Sequence, residues 1–504
     1  GVLRSRVGRS LMPRVLDVME SRSAVILRTL VEDPRLSIVT RSRLPFLRRV
    51  RRIAFRYGIP AQVIHALARP DKAHARAEEL GAELRSRLRP RNTTAAGHLN
   101  FAEQVLNNEI VQIAPNLLPL AASGLAMLAL AGRLLGKDAS EADLQITLRG
   151  LPRNVTTEMN LALWELAKKI RGDESAAAIF SKEPPAELAL QYHAGTLPPS
   201  TQQGIAEFLV RYGHRAIAEI DLGMPRWSED PTHILGVLSN YLRLEDPELA
   251  PDAMFARGAT EANAMVETLT RRARNRGRLR AKLVHFALNR ARQLAGLREI
   301  PKYYIVVALV AARRELAALG VDLARNKKIE NADDIFFLSL VEARAALNGA
   351  NLRELVKDRR HGYEAELRRK HIPRVILSDG TEPEKRIADA SNAAGLSGTP
   401  ASPGVVTGIA RVVLDPNGAH LEPGEILVAP STDPGWTPLF LTAGGLVMEM
   451  GGANSHGAVV AREYGIPAVV GVAEATTRVV TGQKITVDGG GGTVTLTGNS
   501  SGGS

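Results

Sequence analysis

The 504-residue chain contains no cysteine. That absence removes disulfides, zinc–thiolate centres, iron–sulfur clusters and any cysteine nucleophile or acid. It fits a cytoplasmic protein, although a thiol-free chain is tolerated in every compartment. Internal repeats are also missing, as is any basic motif interleaved with aromatic residues of the kind that binds RNA. At about 150 residues per domain, the length corresponds to two to four domains. Hydrophobic residues at 45% and charged residues at 23% are ordinary for a globular protein and exclude wholesale disorder.

The formal net charge is +12. Much of the excess sits in roughly the first ninety residues, in runs such as Arg41–Arg52 and Arg85–Arg91. Such runs serve an Arg-rich helical surface, a nucleic-acid face or a membrane-surface patch. The first is the commoner outcome, so neither nucleic acid nor membrane is expected as a partner. The chain opens at Gly1 without an initiator Met and closes on Asn499–Ser504, which reads as a flexible tail. These ends suggest excision from something longer. Ile110–Gly132 carries no charged residue and is long enough to span a bilayer. Gln112, Pro115, Asn116 and Pro119 interrupt its first half. The remaining apolar run, Leu120–Leu130, reads as a buried core helix or the wall of an apolar pocket.

Up to about Ala390 the grammar is helical: Ala, Leu, Arg and Glu dominate, with apolar residues at three- and four-residue spacing in Ala73–Leu88 and Ala281–Leu297. Boundaries are expected at Pro70, Pro90, Pro152, Pro184-Pro185, Pro198-Pro199 and Pro231. Ser391–Pro403 is rich in small residues, Gly and Pro, and reads as a linker. Beyond it, Val405–Leu414, Ile426–Ala429, Gly445–Met450, Ile466–Val472 and Gln483–Leu496 read as strands, with a helix over Ser455–Tyr464. The fold class is therefore multidomain. A mainly α-helical domain (1–390) is followed by a linker (391–403), a small α/β domain (404–497) and a tail (498–504).

The informative segment is Met450–Gly471, MGGANSHGAVVAREYGIPAVVG. A strand ends in Gly451-Gly452, Asn454 and Ser455 offer N-cap side chains, and His456 falls on the first turn of a helix. Backbone N–H groups and the helix dipole favour an anion there. A neutral imidazole in that place can attack a phosphoryl group, and Gly452 and Gly457 are expected to keep the ring accessible. A satisfied structural histidine is the competing reading of the spacing alone.

With Asp433–Phe440 (DPGWTPLF), this segment resembles the mobile phosphohistidine domain of the phosphoenolpyruvate (PEP)-utilising enzymes, over about Thr399–Leu496. The likeness is greatest to rifampicin phosphotransferases and related PEP-synthase-like proteins. Ser455 stands where many members carry Thr; both have a hydroxyl. The resemblance implies a swivelling β/β/α domain in which His456 is phosphorylated and carries the group between sites.

A looser resemblance to the central domain of the same proteins covers most of 1–390. One block is Tyr212–Pro231 (YGHRAIAEIDLGMPRWSEDP), where His214, Arg215, Glu219 and Asp221 crowd together. They form either a substrate-domain site or a salt-bridged corner that orders helices. The second is Leu297–Lys302 (LREIPK), whose Arg298, Glu299 and Lys302 match an Arg-Glu-x-x-Lys element that faces the phosphohistidine in the family. Arg forks and Lys point charges suit a phosphoryl group in flight, and Glu299 suits proton acceptance from an acceptor hydroxyl. An ordinary surface charge pair is the alternative.

The resemblance also implies parts that are not in the sequence: an ATP-grasp domain, where ATP and Mg2+ bind, and the barrel that binds pyruvate in dikinases. The barrel's enolate is protonated by a cysteine, which this chain lacks. The expected activity is a dikinase-type phosphotransferase relaying a phosphoryl group from ATP, at an ATP-grasp domain or subunit, through His456 to a small hydroxylated acceptor. A rifampicin-like antibiotic, another hydroxylated acceptor, a subunit of a dikinase-type complex and a basic scaffold remain open. No metal site is expected on the chain itself, and the Leu117–Leu130 stretch is a candidate wall for an apolar acceptor pocket.

Overall fold

The computed structural model of the protein describes residues 26, 30, 48, 51–52, 54–90, 94–244, 246–368, 375–377, 379–382, 396–416, 419, 421–432, 436–452 and 455–496. Most of the Arg41–Arg52 run, Asn454, Asp433 to Gly435 of the DPGWTPLF block and the tail lie outside these residues.

The body is helical. Its principal helices are α1 (Pro70–Arg87), α2 (Ala95–Gln104), α3 (Ile110–Leu135), α4 (Val155–Arg171), α5 (Pro199–Tyr212), α6 (Thr232–Leu242), α7 (Pro251–Arg274), α8 (Arg278–Ala295) and α9 (Ile300–Arg325). Proline opens α1, α5 and α7, as well as the shorter helix Pro185–Ala194. Pro70, Pro185, Pro199 and Pro251 sit in first turns, where the missing N–H costs nothing and the fixed φ is already helical. α3 packs along α8, and α9 packs on α2 and α3. Gly124 makes the first of these contacts possible, because a Cβ there would meet the Ala295 backbone nitrogen at 2.6 Å.

α3 contains the two prolines that interrupt the uncharged stretch. The helix runs through Pro115 and Pro119 for 26 residues, entered by a π turn at Val105–Glu109. Side chains bond local carbonyls: Ser123 Oγ donates to the Pro119 carbonyl, and Asn116 Nδ2 to that of Gln112, each at 2.8 Å. The continuous helical stretch Ala95–Asp138 is long and apolar enough by length and composition to cross a membrane, and 39% of its most apolar window is buried within the protein. Ile113, Leu117, Leu120 and Leu135 face the core, while Val111, Leu118 and Leu130 are exposed.

The C-terminal unit is a mixed eight-stranded sheet. Its strands are β1 (Leu396–Ser397), β2 (Thr399–Ser402), β3 (Val405–Val412), β4 (Ile426–Ala429), β5 (Gly445–Met448), β6 (Ala468–Val470), β7 (Lys484–Asp488) and β8 (Thr493–Leu496). The order is β1-β8-β7-β3-β4-β5-β6-β2, with β3 to β6 parallel. The two edge strands follow each other in sequence with only Gly398 between them, so the sheet curls until its ends meet. β1 and β2 fall inside the stretch read as a linker. Their small residues permit close approach: a Cβ on Gly398 would meet the Val470 carbonyl at 2.5 Å. Residues 396–402 therefore belong to the sheet, whereas 391–395 lie outside the described residues. α10 (His456–Tyr464) crosses between β5 and β6, and its buried face packs on β2 and β6.

Replacing Gly124 by Ala gains about 1 kcal/mol of helix propensity but pushes a methyl into backbone that cannot rotate away, at ~1–3 kcal/mol. The clash wins, and the denaturant midpoint of Gly124→Ala is expected to fall by the equivalent of about 1–2 kcal/mol.

Candidate active site

His456 is the first residue of α10, after Ser455 at the N-cap. Ser455 makes no capping bond to the helix; its hydroxyl donates to the Gly452 carbonyl at 2.8 Å. The expected side-chain cap is thus turned back into the Gly-rich loop, and the helix N-terminus has no side chain of Ser455 competing with an anion. Gly451 adopts φ +114°, a left-handed conformation that glycine tolerates. Gly457 does not serve ring accessibility as expected. It faces inward, where a Cβ would meet Thr432 Oγ1 at 2.3 Å and Met448 Sδ at 2.4 Å, so it lets the helix start sit tightly on the sheet.

The ring of His456 is partly buried against the helical body. Burial, followed by the positive charges of Lys302, Arg215 and Arg298, holds its pKa well below the usual histidine range. The imidazole is therefore neutral near pH 7, with a lone pair to offer. Arg298 and Glu299 lie on the short 3-10 turn Gly296–Glu299 between α8 and α9, ion-paired at 2.9 Å. Close packing fixes that turn, since a Cβ on Gly296 would meet the Pro152 carbonyl at 2.8 Å. Arg298 Nε is buried and has no hydrogen-bond partner among the described residues.

Lys302, on the first turn of α9, reaches Glu219 Oε1 at 2.9 Å, and Arg215 Nε donates to Glu219 Oε2 at 2.6 Å. The block from Tyr212 to Pro231 is thus a salt-bridged corner, and one of its members also faces His456. Arg226, fully buried, donates to the backbone carbonyls of Glu219 and Asp221 at 2.7 and 3.0 Å. Ala218, in the same corner, takes φ +52°, a conformation that costs a non-glycine residue about 1 kcal/mol. Asp221 stands apart from the rest: it is exposed, and its Oδ1 accepts from the Gly223 N–H within the turn.

His214 points elsewhere. It lies edge-on to Tyr303, with ring centroids 4.7 Å apart, and lines a cleft of about 840 Å³. Burial and the charges of Arg215, Arg85, Arg226 and Arg314 push its pKa down to about 3, so it too is uncharged. Its Nε2 has no partner among the described residues. Tyr212, Tyr303 and Tyr304 contribute aromatic walls, Leu297 and Ile300 flank the Arg298–Glu299 turn, and Arg85, Arg153, Arg211 and Arg314 supply cations. No residue of Leu117–Leu130 lines this cleft; the buried face of that stretch packs on α8 and α9 instead.

Residues 116–299 match the rifampicin phosphotransferase fourth domain, and residues 421–492 match the mobile domain of PEP-utilising enzymes. The chain belongs to the PEP-utilising enzyme family. A rifampicin phosphotransferase from Streptomyces sviceus is 38% identical over 347 residues, covering 67% of this chain and 39% of that protein. One from Bacillus subtilis is 35% identical over 351 residues, covering 68% and 40%. A prodigiosin synthesizing transferase from Serratia marcescens is 29% identical over 368 residues, covering 70% and 40%. The chain spans about 40% of the length of these curated relatives.

Sequence reasoning overlooked Glu463, which lies inside the quoted motif. It follows His456 by two helical turns and so shares its face of α10, a spacing that could have singled it out. The three cleft tyrosines were also missed, because the segments that carry them meet only through the packing of α1, α5 and α9.

The Arg215 and Glu219 side chains are only 3% and 2% exposed. Glu219→Ala strands a buried guanidinium, and its unfolding midpoint in denaturant should fall by the equivalent of ~3–5 kcal/mol. Lys302 is 41% exposed, so Lys302→Ala should shift the same midpoint by no more than ~1 kcal/mol.

Proposed function

We propose that this chain is the carrier and acceptor portion of an ATP-dependent phosphotransferase of the PEP-utilising family. The observation that supports it best is a neutral His456, at a helix N-terminus, facing Arg215, Arg298 and Lys302. In the first step an imidazole nitrogen of His456 attacks the β-phosphorus of ATP at an ATP-grasp domain or subunit. A P–N bond forms as the P–O bond to AMP breaks, and water then cleaves the remaining β–γ P–O bond, so that AMP and inorganic phosphate leave and a single phosphoryl group stays on the imidazole. ATP and Mg2+ belong to that donor site; the cationic residues of this chain suit the phosphoryl group itself.

In the second step the mobile domain presents phospho-His456 to the helical body. The acceptor oxygen attacks phosphorus, the P–N bond breaks, and the electron pair returns to the imidazole. Glu299 takes the hydroxyl proton. Arg298, Lys302 and Arg215 neutralise charge on the equatorial oxygens, the main service a protein renders to phosphoryl transfer. Dividing one difficult transfer into two positioned steps is the benefit of the covalent carrier.

The acceptor sits in the 840 Å³ cleft beside this cluster, a volume suited to a drug-sized molecule. Tyrosine faces favour an aromatic acceptor, and guanidinium groups favour a phenolic or otherwise electron-rich one. A rifamycin fits that description and leads the list of acceptors. A second reading, the same relay onto another hydroxylated molecule, is favoured by the similar match to a relative named for prodigiosin synthesis.

Incubation with a free ATP-grasp domain and β-labelled ATP should place an acid-labile label on His456 and none on His456→Ala. Absence of that label would sink both readings. Lys302→Ala should still take the label but pass it to the acceptor roughly 10²–10³-fold more slowly. A rifamycin should raise the thermal midpoint of the chain; a flat response to every rifamycin would select the second reading.

A further inference from the structure

Glu463 is a carboxylic acid buried between the two units, with only 2% of its surface exposed. Its partners all come from the helical body. Asn154 Nδ2 donates to Oε1 at 2.5 Å, and the Thr157 hydroxyl donates to Oε2. Asn154 is itself the N-cap of α4, its Oδ1 accepting from the Thr156 N–H at 3.0 Å. The notch that receives the carboxyl is therefore a helix N-terminus with its side chains already fixed. The Glu463 backbone is seated as well: its carbonyl accepts from the Gly150 N–H at 3.4 Å and abuts Gly258 of α7, where a Cβ would come within 2.8 Å. Gly258 allows the end of α10 to approach the body this closely, while Gly150, at φ +52°, lets its own loop lie against Ala259 of α7.

We propose that Glu463 is the positioning residue that docks the mobile domain in the acceptor-facing arrangement, its carboxyl entering the Asn154–Thr157 notch when the domain arrives and returning to water when it leaves. The proposal rests on the relay reading for the need to swing, and on the interface alone for the docking contact.

Docking is then coupled to a proton. Burial raises the docked carboxyl, while the Thr157 bond and the Arg298 charge lower it; Glu299 raises it again and the Asn154 bond lowers it. The balance leaves it pushed up to about 7, against 4.5 for an ordinary glutamate. Arg298 and Glu299 are the charged groups facing it from the turn before α9. Tyr464, next to it on α10, stays neutral because burial lifts its pKa far above the working range. Arg149, paired with Glu261 of α7, lies against Gly465. α4 offers only the neutral Asn154 and Thr157. Because the docked value exceeds the undocked one, docking is fullest below about 4.5, weakens as pH rises, and levels off above about 7. Between those limits the docking constant falls by up to tenfold per pH unit.

The cysteine-free chain allows clean labelling, so donor and acceptor dyes can be placed at the exposed positions Gln203→Cys of the body and Thr477→Cys of the mobile domain. Energy transfer then reads docking without ATP or an acceptor, and its failure is distinguishable from failure of the relay. In the otherwise unaltered chain, transfer should fall as pH rises from 5 to 7. Glu463→Gln, neutral at every pH, should remove that slope, and Thr157→Val on the body side should weaken docking about tenfold or more. Two results would overturn the proposal: an unchanged pH slope in Glu463→Gln, or unchanged transfer in both Thr157→Val and Glu463→Ala.

Discussion

Three cations gathered around one uncharged imidazole set the terms for the rest of the structure. Arg215, Arg298 and Lys302 repel one another and also repel a protonated His456, so the arrangement holds only if counter-charges are built into the walls. Glu219 is shared between Arg215 and Lys302, and Glu299 is paired with Arg298. Three positive and two negative groups leave one unit uncompensated while the imidazole is neutral. On the relay reading, that surplus is what a phosphoryl group meets. The need to fix Glu219 explains the otherwise costly corner around it: a left-handed Ala218, a fully buried Arg226 and backbone carbonyls turned toward its guanidinium.

Much of this was legible from local pattern. A Gly-Gly strand end, a histidine on a helix start and an Arg-Glu-x-x-Lys spacing are short-range features, and short-range geometry is what a sequence displays most directly. The alternating strands from Val405 to Leu496 were readable for the same reason. The illegible parts depend on distant partners. Leu396–Ser402 looks like a linker because Gly, Pro and Ser dominate it; it is strand because β8 and β6 supply edges to pair with. Pro115 and Pro119 interrupt the apolar run, yet α3 continues through them because α8 and α9 bury one of its faces. Gly457 looked like an opening and is a close contact, since its neighbours Thr432, in the loop after β4, and Met448, at the end of β5, arrive from elsewhere in the chain.

The joint between the units carries a further demand. One hydrophobic cluster runs through it, joining Leu235, Leu238 and Tyr241 of the body to Leu439, Phe440 and Tyr464 of the mobile domain. Apolar burial is strong, non-directional and nearly indifferent to pH, so a seat made of it alone would hold the domain without discriminating one register from the next. The Asn154–Thr157 notch adds direction, because its two donors reach the two carboxyl oxygens only when Glu463 enters at one position and angle.

The notch also keeps the seat reversible. Each hydrogen bond made on docking replaces one to water, so the net gain is only about 0.5–1.5 kcal/mol, whereas burying the carboxylate in ionised form opposes docking. The polar contact therefore selects the register while adding little to the depth of the well. A carrier that must leave after each turnover gains nothing from a deeper one. Replacing Glu463 by an apolar residue of similar size would remove the desolvation cost together with the orientation. On this argument such a variant should sit on the body more readily than the unaltered chain, yet deliver its phosphoryl group less well, because affinity for the seat and correct placement of His456 come from different parts of the interface.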